Sequence, residues 1–290
     1  MTQRLALIGF GEAAQAFAPG LSSVLAAYDC KTDFEFSRAG KIADYDRMGI
    51  TWCADAGEAL SGAFATLSLV TADQALAAAE AARQLAPGAI WFDMNSVAPD
   101  TKRAAADMIE AYGGHYVDVA VMAPVYPGRT AVPLLVSGPY AKEGAACLSR
   151  IGFADVRAID GPIGAASAAK MIRSVMVKGI EALSAECALA ADAAGVSGEV
   201  IASLDASWPG ADWTSRFDYN LERMMVHGQR RAAEMEEVVA MLDALGTGSA
   251  MCRGTVTGQR AIGELAIDPP QGLDAKLAAL RPIMCKDRAA

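Results

Sequence analysis

The feature that most constrains this chain is a glycine-rich turn that directly follows its first apolar segment. Residues 4–8 have the pattern of a short buried strand, and Gly9, Gly11 and Ala14 then form the pattern G-x-G-x-x-A at the start of a helix. The first glycine permits a tight turn, the second lets the backbone approach a pyrophosphate, and the third small residue lets helix and strand pack closely. A strand before the turn and a helix after it favour dinucleotide binding over a merely structural turn.

Apolar strand patterns alternate with alanine-rich helical patterns through the first half of the chain. Such alternation predicts a parallel sheet with helices on both faces. The predicted strands are 4–8, 24–28, 64–70, 89–93, 116–120 and 133–138, and the clearest predicted helices are 12–21, 72–85 and 99–112.

The pattern changes at Gly161-Pro162-Ile163-Gly164. Residues 165–194 contain no proline and only one glycine, Gly179, which predicts one long helix. Further helices are predicted at 198–207, 213–225, 229–245 and 249–264. The fold class is therefore α/β, with an N-terminal Rossmann domain of doubly wound parallel sheet followed by an all-α C-terminal domain. We expect a dinucleotide-binding domain at 1–160 and a helical substrate and dimerisation domain at 161–290, in a homodimer.

Composition narrows the partners that this chain can have. A length of 290 residues suits two domains, and a net charge of −9 disfavours non-specific nucleic-acid binding. No apolar run is long enough to span a bilayer, and no leader pattern precedes the first strand, so we expect a cytoplasmic protein without a membrane partner. The chain has two histidines and six cysteines without a C-x-x-C pair, so no metal site is predicted.

The residue at the end of the second strand bears on cofactor choice. Asp29 stands there, where a carboxylate would bind the ribose 2′-hydroxyl and repel a 2′-phosphate, which favours NAD over NADP. In a rival register, residues 33–38 form the strand, and Ser37 and Arg38 bind a 2′-phosphate and favour NADP. We favour Asp29, because residues 24–28 fit the usual spacing better.

The junction segment carries a second motif. The segment matches the pattern G-x-x-G-x-G-x-x-x-K-x-x-x-N at Gly161, Gly164, Ala166, Lys170 and Ser174. Ala166 stands in place of the third glycine and Ser174 in place of the asparagine. In this the chain resembles the β-hydroxyacid dehydrogenase family, which includes 6-phosphogluconate and 3-hydroxyisobutyrate dehydrogenases, and its C-terminal half resembles a poorly characterised subgroup. The resemblance implies hydride transfer between NAD(P) and a hydroxy acid, with Lys170 as general acid/base in a cleft between the domains. A lysine can do this when its pKa is lowered toward neutrality.

Departures from the family pattern bear on the substrate. Asp93-Met94-Asn95-Ser96 resembles the family's D-x-S-T, which implies cofactor and substrate contacts at Asn95 and Ser96. Ser174 replaces the family's asparagine. Met122-Ala123-Pro124 stands where the family has serine-glycine-glycine, which implies a bulkier or less polar substrate. The predicted cofactor contacts are Gly9, Phe10, Gly11, Glu12, Ala13, Ala14, Asp29, Val70, Thr71 and Asn95. The predicted substrate contacts are Ser96, Met122, Ser174, His227 and Arg231.

Two C-terminal groups are open to two interpretations. His227, Arg230, Arg231 and Glu234 share one helix face, where the arginines could bind a substrate carboxylate or form Arg–Glu pairs on a solvated face. An aromatic set could line a pocket, although such residues are more often core or dimer contacts. That set consists of Trp208, Trp213 and Tyr219. Two alternative functions stay open: imine reduction on the same fold, and a non-catalytic NAD(P)-binding sensor or scaffold.

Overall fold

The computed structural model describes residues 3–284. The chain forms two compact units, Met1–Lys170 and Met171–Ala290. The division falls after Lys170, whereas the predicted boundary was residue 160. The difference arises because the first turns of the long helix belong by their contacts to the sheet unit.

The first unit contains one eight-stranded sheet in the order β3-β2-β1-β4-β5-β6-β7-β8. All neighbouring strands are parallel except β6 and β7, which are antiparallel. The strands are β1 Arg4–Ile8, β2 Val24–Tyr28, β3 Thr51–Trp52, β4 Ala63–Ser68, β5 Ile90–Asp93, β6 His115–Val121, β7 Leu134–Ser137 and β8 Val156–Ala158.

Helices cover both faces of this sheet. Successive residues of β1 alternate between two apolar cores: Leu5 and Leu7 belong to one, and Ala6 and Ile8 to the other. This is the burial that a parallel sheet between two helical layers requires, and the predicted fold class is confirmed. The helices are α1 Glu12–Phe17, α2 Glu35–Met48, α3 Ala56–Leu60, α4 Ala75–Glu80, α5 Pro99–Ala111 and α6 Ala141–Ile151, with 3₁₀ turns at Ala18–Gly20, Cys30–Thr32, Ala72–Gln74, Ala81–Gln84 and Arg129–Ala131.

The predicted parallel sheet contains one antiparallel pair, β6 and β7. Val121 and Leu134 are paired at the ends of two antiparallel strands. The segment between them contains only the 3₁₀ turn Arg129–Ala131, and without a crossover helix the chain returns beside the strand it has left. Strands β3 and β8 were not predicted, because each has only two or three residues and no fully apolar face.

The second unit is helical and contains most of the predicted long helix. That helix, α7 Ala165–Ala194, has the predicted bounds and begins within the first unit. It is followed by α8 Ser197–Ser207, α9 Trp213–Leu245, α10 Ala250–Gly263 and α11 Leu273–Met284. Within residues 3–284, no helix is both long and apolar enough to cross a membrane.

One helix replaces the two that were predicted at 213–225 and 229–245. The expected break fell near Gly228, yet α9 runs through it. A Cβ at Gly228 would lie 2.3 Å from the carbonyl oxygen of Gln259 and 2.8 Å from the Cα of Gly263. The glycine is therefore a point of close contact between α9 and α10, and it does not end the helix. Helix α11 was not predicted.

Candidate functional site

The glycine turn lies at the carboxyl end of β1, beside the carboxyl end of β4. Strand order reverses between these two neighbours, which is where open α/β sheets bind ligands. Gly9 has φ +88°, and a Cβ there would lie 2.6 Å from the carbonyl oxygen of Leu69, so only glycine fits. A Cβ at Gly11 would meet no atom within 4 Å, so the backbone there faces open space. Ala14 is buried where α1 meets the sheet.

Polar side chains hold the peptide groups of this turn. The Asp29 carboxylate accepts from the N–H of Phe10 at 2.8 Å and from the N–H of Lys31 at 3.0 Å. The Lys41 ammonium donates to the carbonyl oxygen of Phe10 at 2.8 Å. The Phe10 ring stacks on Tyr45 with centroids 4.6 Å apart. The turn is thus pre-formed. Asp29 both fixes the shape of the turn and places a negative charge beside it.

The rival register after β2 is wrong, because residues 33–38 do not form a strand. They lead into α2, whose first turn braces the preceding loop. Ser37 Oγ donates to the carbonyl oxygen of Lys31 at 2.7 Å, and Arg38 Nε donates to that of Thr32 at 2.6 Å. The predicted second strand, β2, is confirmed and places Asp29 at its carboxyl end.

The carboxyl ends of β4 and β5 are joined by one buried amide. Asn95 Oδ1 accepts from the N–H of Val70 at 2.8 Å, and Asn95 Nδ2 donates to Ser68 Oγ at 3.0 Å. A Cβ at Gly9 would lie 2.9 Å from Val70, so Gly9, Val70 and Asn95, all predicted cofactor contacts, lie together. Thr71 follows in an exposed position and Ser96 in a half-buried one.

A buried charge cluster, which was not predicted from the sequence, lies beside this edge. The Lys102 ammonium, on α5, lies 2.8 Å from Asp93 Oδ1 and 3.4 Å from Asp118 Oδ1, and its side chain is 0 % exposed. Tyr116 donates to Asp93 Oδ2 at 2.7 Å, and burial raises the pKa of Tyr116, as does Asp93, so the phenol stays protonated. The available signal was a lysine on the buried stripe of a helix, since the buried residues of α5 are Lys102, Ala105, Ala106 and Ile109.

The start of α7 is attached to this cluster. Asp118 Oδ2 accepts from the N–H groups of Gly164 and Ser167, each at 3.1 Å, and Asp118 Oδ1 accepts from Ser167 Oγ at 2.7 Å. Ser137 Oγ accepts from the N–H of Ala166 at 2.9 Å and donates to Asp118 at 3.0 Å. Lys170, half-buried, follows three residues after Ser167 on the same helix.

Steric contact explains why position 164 of the junction motif is a glycine. Gly164 has φ +95°, and a Cβ there would lie 2.8 Å from the side chain of Pro99, the first residue of α5. The beginnings of α5 and α7 therefore touch, which brings Lys102 to the same side of the sheet as the start of α7. Met122, which follows β6, is half-buried and donates its N–H to Pro133 at 2.9 Å.

The predicted substrate contacts of the second unit lie among paired charges. Arg231 forms an ion pair with Glu181, and Gln259 Nε2 donates to the same carboxylate at 3.0 Å. Arg230 pairs with Glu234 at 2.6 Å. The charge of Arg231 is thus already balanced within the helical core, whereas the exposed Arg230–Glu234 pair is of the kind that the solvated-face interpretation expected. His227 is half-buried and lines a cavity of about 540 Å³ between α9 and the segment that follows α10. Ser174 is half-buried on α7.

The aromatic set forms a cluster at the start of α9. The Trp208 and Trp213 rings are 5.6 Å apart, and Trp213 lies 5.5 Å from Phe217, a core residue. Tyr219 is 59 % exposed. Trp208 is 56 % exposed, so of the three residues it is Trp213 that packs on the core, and the choice between a pocket and a contact role stays open.

Metal-binding groups are sparse in the part of the chain that the structure describes. Residues 3–284 contain no group of three or more His, Cys, Asp or Glu side chains placed to hold a metal ion. The described cysteines, Cys30, Cys53, Cys147, Cys187 and Cys252, carry free thiols, and Cys285 lies outside the described residues.

Comparisons with known proteins cover nearly the whole chain. A conserved hypothetical protein from Sinorhizobium meliloti 1021 is 35% identical, with 99% of this chain and 97% of that chain covered and a TM-score of 0.79. The conserved protein MTH1747, of unknown function and described as structurally similar to 3-hydroxyacid dehydrogenases, is 28% identical over 90% of this chain and 99% of that chain, with a TM-score of 0.69.

More distant similarity extends to an enzyme of known activity. The Mycobacterium tuberculosis 3-hydroxyisobutyrate dehydrogenase, solved with L-serine, is 15% identical over 97% of this chain and all of that chain (100%), with a TM-score of 0.74. At that identity the likeness is one of fold. Residues 191–262 match a domain of unknown function, DUF1932. No curated protein matches the sequence.

Proposed function

We propose that this chain is a nicotinamide-dependent oxidoreductase of the 3-hydroxyacid dehydrogenase type, because relatives at 35% and 28% identity each cover 90% or more of it and the second is described as structurally similar to 3-hydroxyacid dehydrogenases. Its reaction is reversible hydride transfer between NAD(P) and a hydroxy acid or a related carbonyl compound. The observation that carries the proposal is the pre-formed glycine turn at the switch point of the sheet, with open space in front of Gly11.

The residues of the first unit fit a dinucleotide. The backbone of residues 9–14 would hold the pyrophosphate, and the loops after β4 and β5, at Val70, Thr71 and Asn95, would hold the nicotinamide half. When bound, the nicotinamide accepts hydride from an alcohol or delivers it to a carbonyl. The Asp29 carboxylate at the end of β2 favours NAD, because it disfavours a 2′-phosphate.

Lys170 supplies the proton chemistry in this proposal. Its amine takes the hydroxyl proton during oxidation and returns it to the carbonyl oxygen during reduction. Ser96, Met122, Ser174 and His227 are the proposed substrate contacts. Arg231 was also a predicted substrate contact, but its charge is paired with Glu181, so we assign it to the packing of the helical unit.

A homodimer is also proposed. Helix α7 exposes an apolar stripe, with Ile172 at 51 %, Met176 at 64 % and Leu183 at 62 % exposure. Met176 lies four positions and Leu183 eleven positions after Ile172, which places all three on one face of the helix. A second copy of the chain would cover that face, and sedimentation velocity of the wild type against Met176→Glu tests it.

The deciding experiment is a screen of hydroxy acids with NAD and with NADP, followed through the near-ultraviolet absorbance of the reduced nicotinamide. Turnover with one of them supports the proposal. Cofactor binding without turnover of any substrate would support the sensor or scaffold alternative. Gly11→Asp is the control, because a carboxylate in front of the turn occupies and repels the pyrophosphate, so a folded variant should bind neither cofactor.

A further inference from the structure

The start of α7 is held by groups that lie far from it in the chain. Three donors at its start, the N–H groups of Gly164 and Ser167 and the hydroxyl of Ser167, converge on the Asp118 carboxylate. Asp118 belongs to β6, more than forty residues earlier. Helices are usually capped by a side chain close by in sequence, whereas here the cap is supplied by the sheet. The position of the helix start is therefore set by the position of one carboxylate.

That carboxylate is in turn held by Lys102. The ammonium lies between Asp118 and Asp93, and all three side chains are at most 1 % exposed. Two buried carboxylates close together repel each other unless a cation lies between them. Lys102 also donates to the carbonyl oxygen of Asp93 at 2.7 Å, so it joins the end of β5 to β6.

We propose that Lys102 is a positioning residue, which acts through Asp118 to place the first turn of α7 and with it the Lys170 amine. This rests on the proposed function of Lys170. The Lys170 Cα lies about 4.5 Å along the helix axis from that of Ser167, at 1.5 Å per residue. So short a distance leaves no flexible segment between the anchored turn and the proposed acid/base. Misplacement of a catalytic group by about 1 Å lowers turnover by up to roughly 100-fold.

The experiment uses two variants of the full chain. Lys102→Met removes the cation with little change in side-chain length. The double variant Ser137→Ala/Ser167→Ala removes both hydroxyls, leaves the N–H of Ala166 without its acceptor and alters no charge. Lys276→Met is the matched control, because Lys276 is also 1 % exposed and lies between two carboxylates, Asp218 at 2.6 Å and Glu222 at 3.2 Å, on the second unit.

Two measurements follow on each variant. The first is hydrogen exchange of the Gly164, Ala166 and Ser167 amides, which should become about tenfold faster or more in both test variants, since a lost hydrogen bond weakens local protection on that scale. The second is the pH profile of Lys170 acylation by acetic anhydride, read by mass spectrometry. Its midpoint should move in both test variants, and a shift in the charge-neutral double variant reports a change in position.

Neither measurement needs a substrate. The positioning role of Lys102 can therefore fail while the proposed function holds, and the proposed function can fail while the positioning role holds. Unchanged exchange and an unchanged Lys170 profile in the double variant would overturn the proposal, as would equal changes in Lys276→Met. If Lys102→Met does not fold, Lys102→Gln, which keeps a hydrogen-bond donor and removes the charge, is measured in its place, because the double variant tests the anchoring of α7 and leaves Lys102 unchanged. Once a substrate is known, both test variants should lower kcat by about 10- to 100-fold with the Kd of NAD(P) retained.

Discussion

The two units of the molecule bury polar groups in different ways. In the first unit, buried side chains bind backbone N–H groups as well as one another: Asp29 binds Phe10, Asn95 binds Val70, and Asp118 binds both Lys102 and the start of α7. In the second unit, buried side chains bind one another across helices. These pairs are Glu181 with Arg231, Lys276 with the half-buried Asp218, and Asn220 with Ser184.

The difference follows from the backbone. Turns at the edge of a sheet leave N–H groups without a partner, and each needs an acceptor when it is buried. The N–H groups of a helix interior are already bonded within the helix, so side chains between helices pair with each other. A side chain that binds a loop N–H fixes where that loop lies, which is what a binding site needs. A pair between helices fixes how helices pack. The first unit should therefore govern chemistry and the second stability.

The largest effect is expected at Lys170. Lys170→Ala should lower kcat by about 10²–10⁴, because the proton-transfer group is lost, with the free energy of unfolding and the Kd of NAD(P) nearly unchanged. Lys170→Arg should not restore turnover, since arginine does not release a proton near neutrality. Steady-state kinetics over pH test this, with the exposed Lys142→Ala as control. Near wild-type kcat in Lys170→Arg would eliminate the acid/base role.

At Arg231 the expected loss is one of folding stability rather than of turnover. Arg231→Met leaves the Glu181 carboxylate buried without its cation and should lower the free energy of unfolding by about 3–5 kcal/mol, with the Kd of NAD(P) retained. The neighbouring Arg230→Met is the control. Arg230 is 58 % exposed and its pair with Glu234 should contribute at most about 1 kcal/mol. Urea unfolding measures both. A stable Arg231→Met with a raised substrate KM would instead make Arg231 a substrate ligand and break the comparison.

A smaller effect is expected at Asp29. Asp29→Ala should weaken NAD binding by about 1–3 kcal/mol, because the N–H groups of Phe10 and Lys31 lose their acceptor. NADP binding should weaken less, since removal of the carboxylate relieves repulsion of the 2′-phosphate. Calorimetry with both cofactors measures the two losses. The control is Asp33→Ala, an exposed carboxylate on the same loop that accepts from Tyr28 at 2.6 Å. Equal losses would leave Asp29 with a role in the turn alone.

Sequence patterns predicted most of the fold because apolar periodicity reports burial directly. The strand–turn–helix at Gly9 and the bounds of α7 followed from residue types within a short window. The α9 break at Gly228 was wrong, because a glycine that serves close helix contact looks in sequence like one that ends a helix. The contact partner, Gln259, is about thirty residues away and carries no local signal.

The candidate site was predictable only in part for the same reason. Gly9, Asp29 and Asn95 stand at the ends of predicted strands, so their meeting at one edge could be expected. The binding of Asp118 to the start of α7 could not, since it depends on the antiparallel return of β7 and on contact between α5 and α7. Lys102 was overlooked because a lysine on a helix is usually on the solvent face, whereas this one lies on the buried stripe.

The smallest effect tests whether charge holds α2 against the glycine turn. Asp44 accepts from Lys41 at 2.9 Å and from Arg47 at 2.6 Å. Burial raises the pKa of Asp44, but the bonds from Lys41 and Arg47 outweigh it and hold that pKa below its usual value. The unfolded chain thus binds the proton more readily, so the stabilisation is present above about pH 4 and is lost as the pH falls through the lower folded pKa. Its size should be about 1 kcal/mol, because Arg47, one of the two cations that Asp44 binds, is 60 % exposed.

Asp44→Asn should therefore flatten the dependence of the free energy of unfolding on pH between about pH 5 and about pH 3. Urea titrations at several pH values measure this, and Asp46→Asn, an exposed carboxylate on the same helix, is the control. Since Lys41 also donates to the carbonyl oxygen of Phe10, loss of Asp44 should leave that bond in place and change NAD(P) affinity by less than Asp29→Ala does. A pH dependence equal to that of the wild type would show that packing of Phe10 on Tyr45, and not charge, holds α2 against the turn.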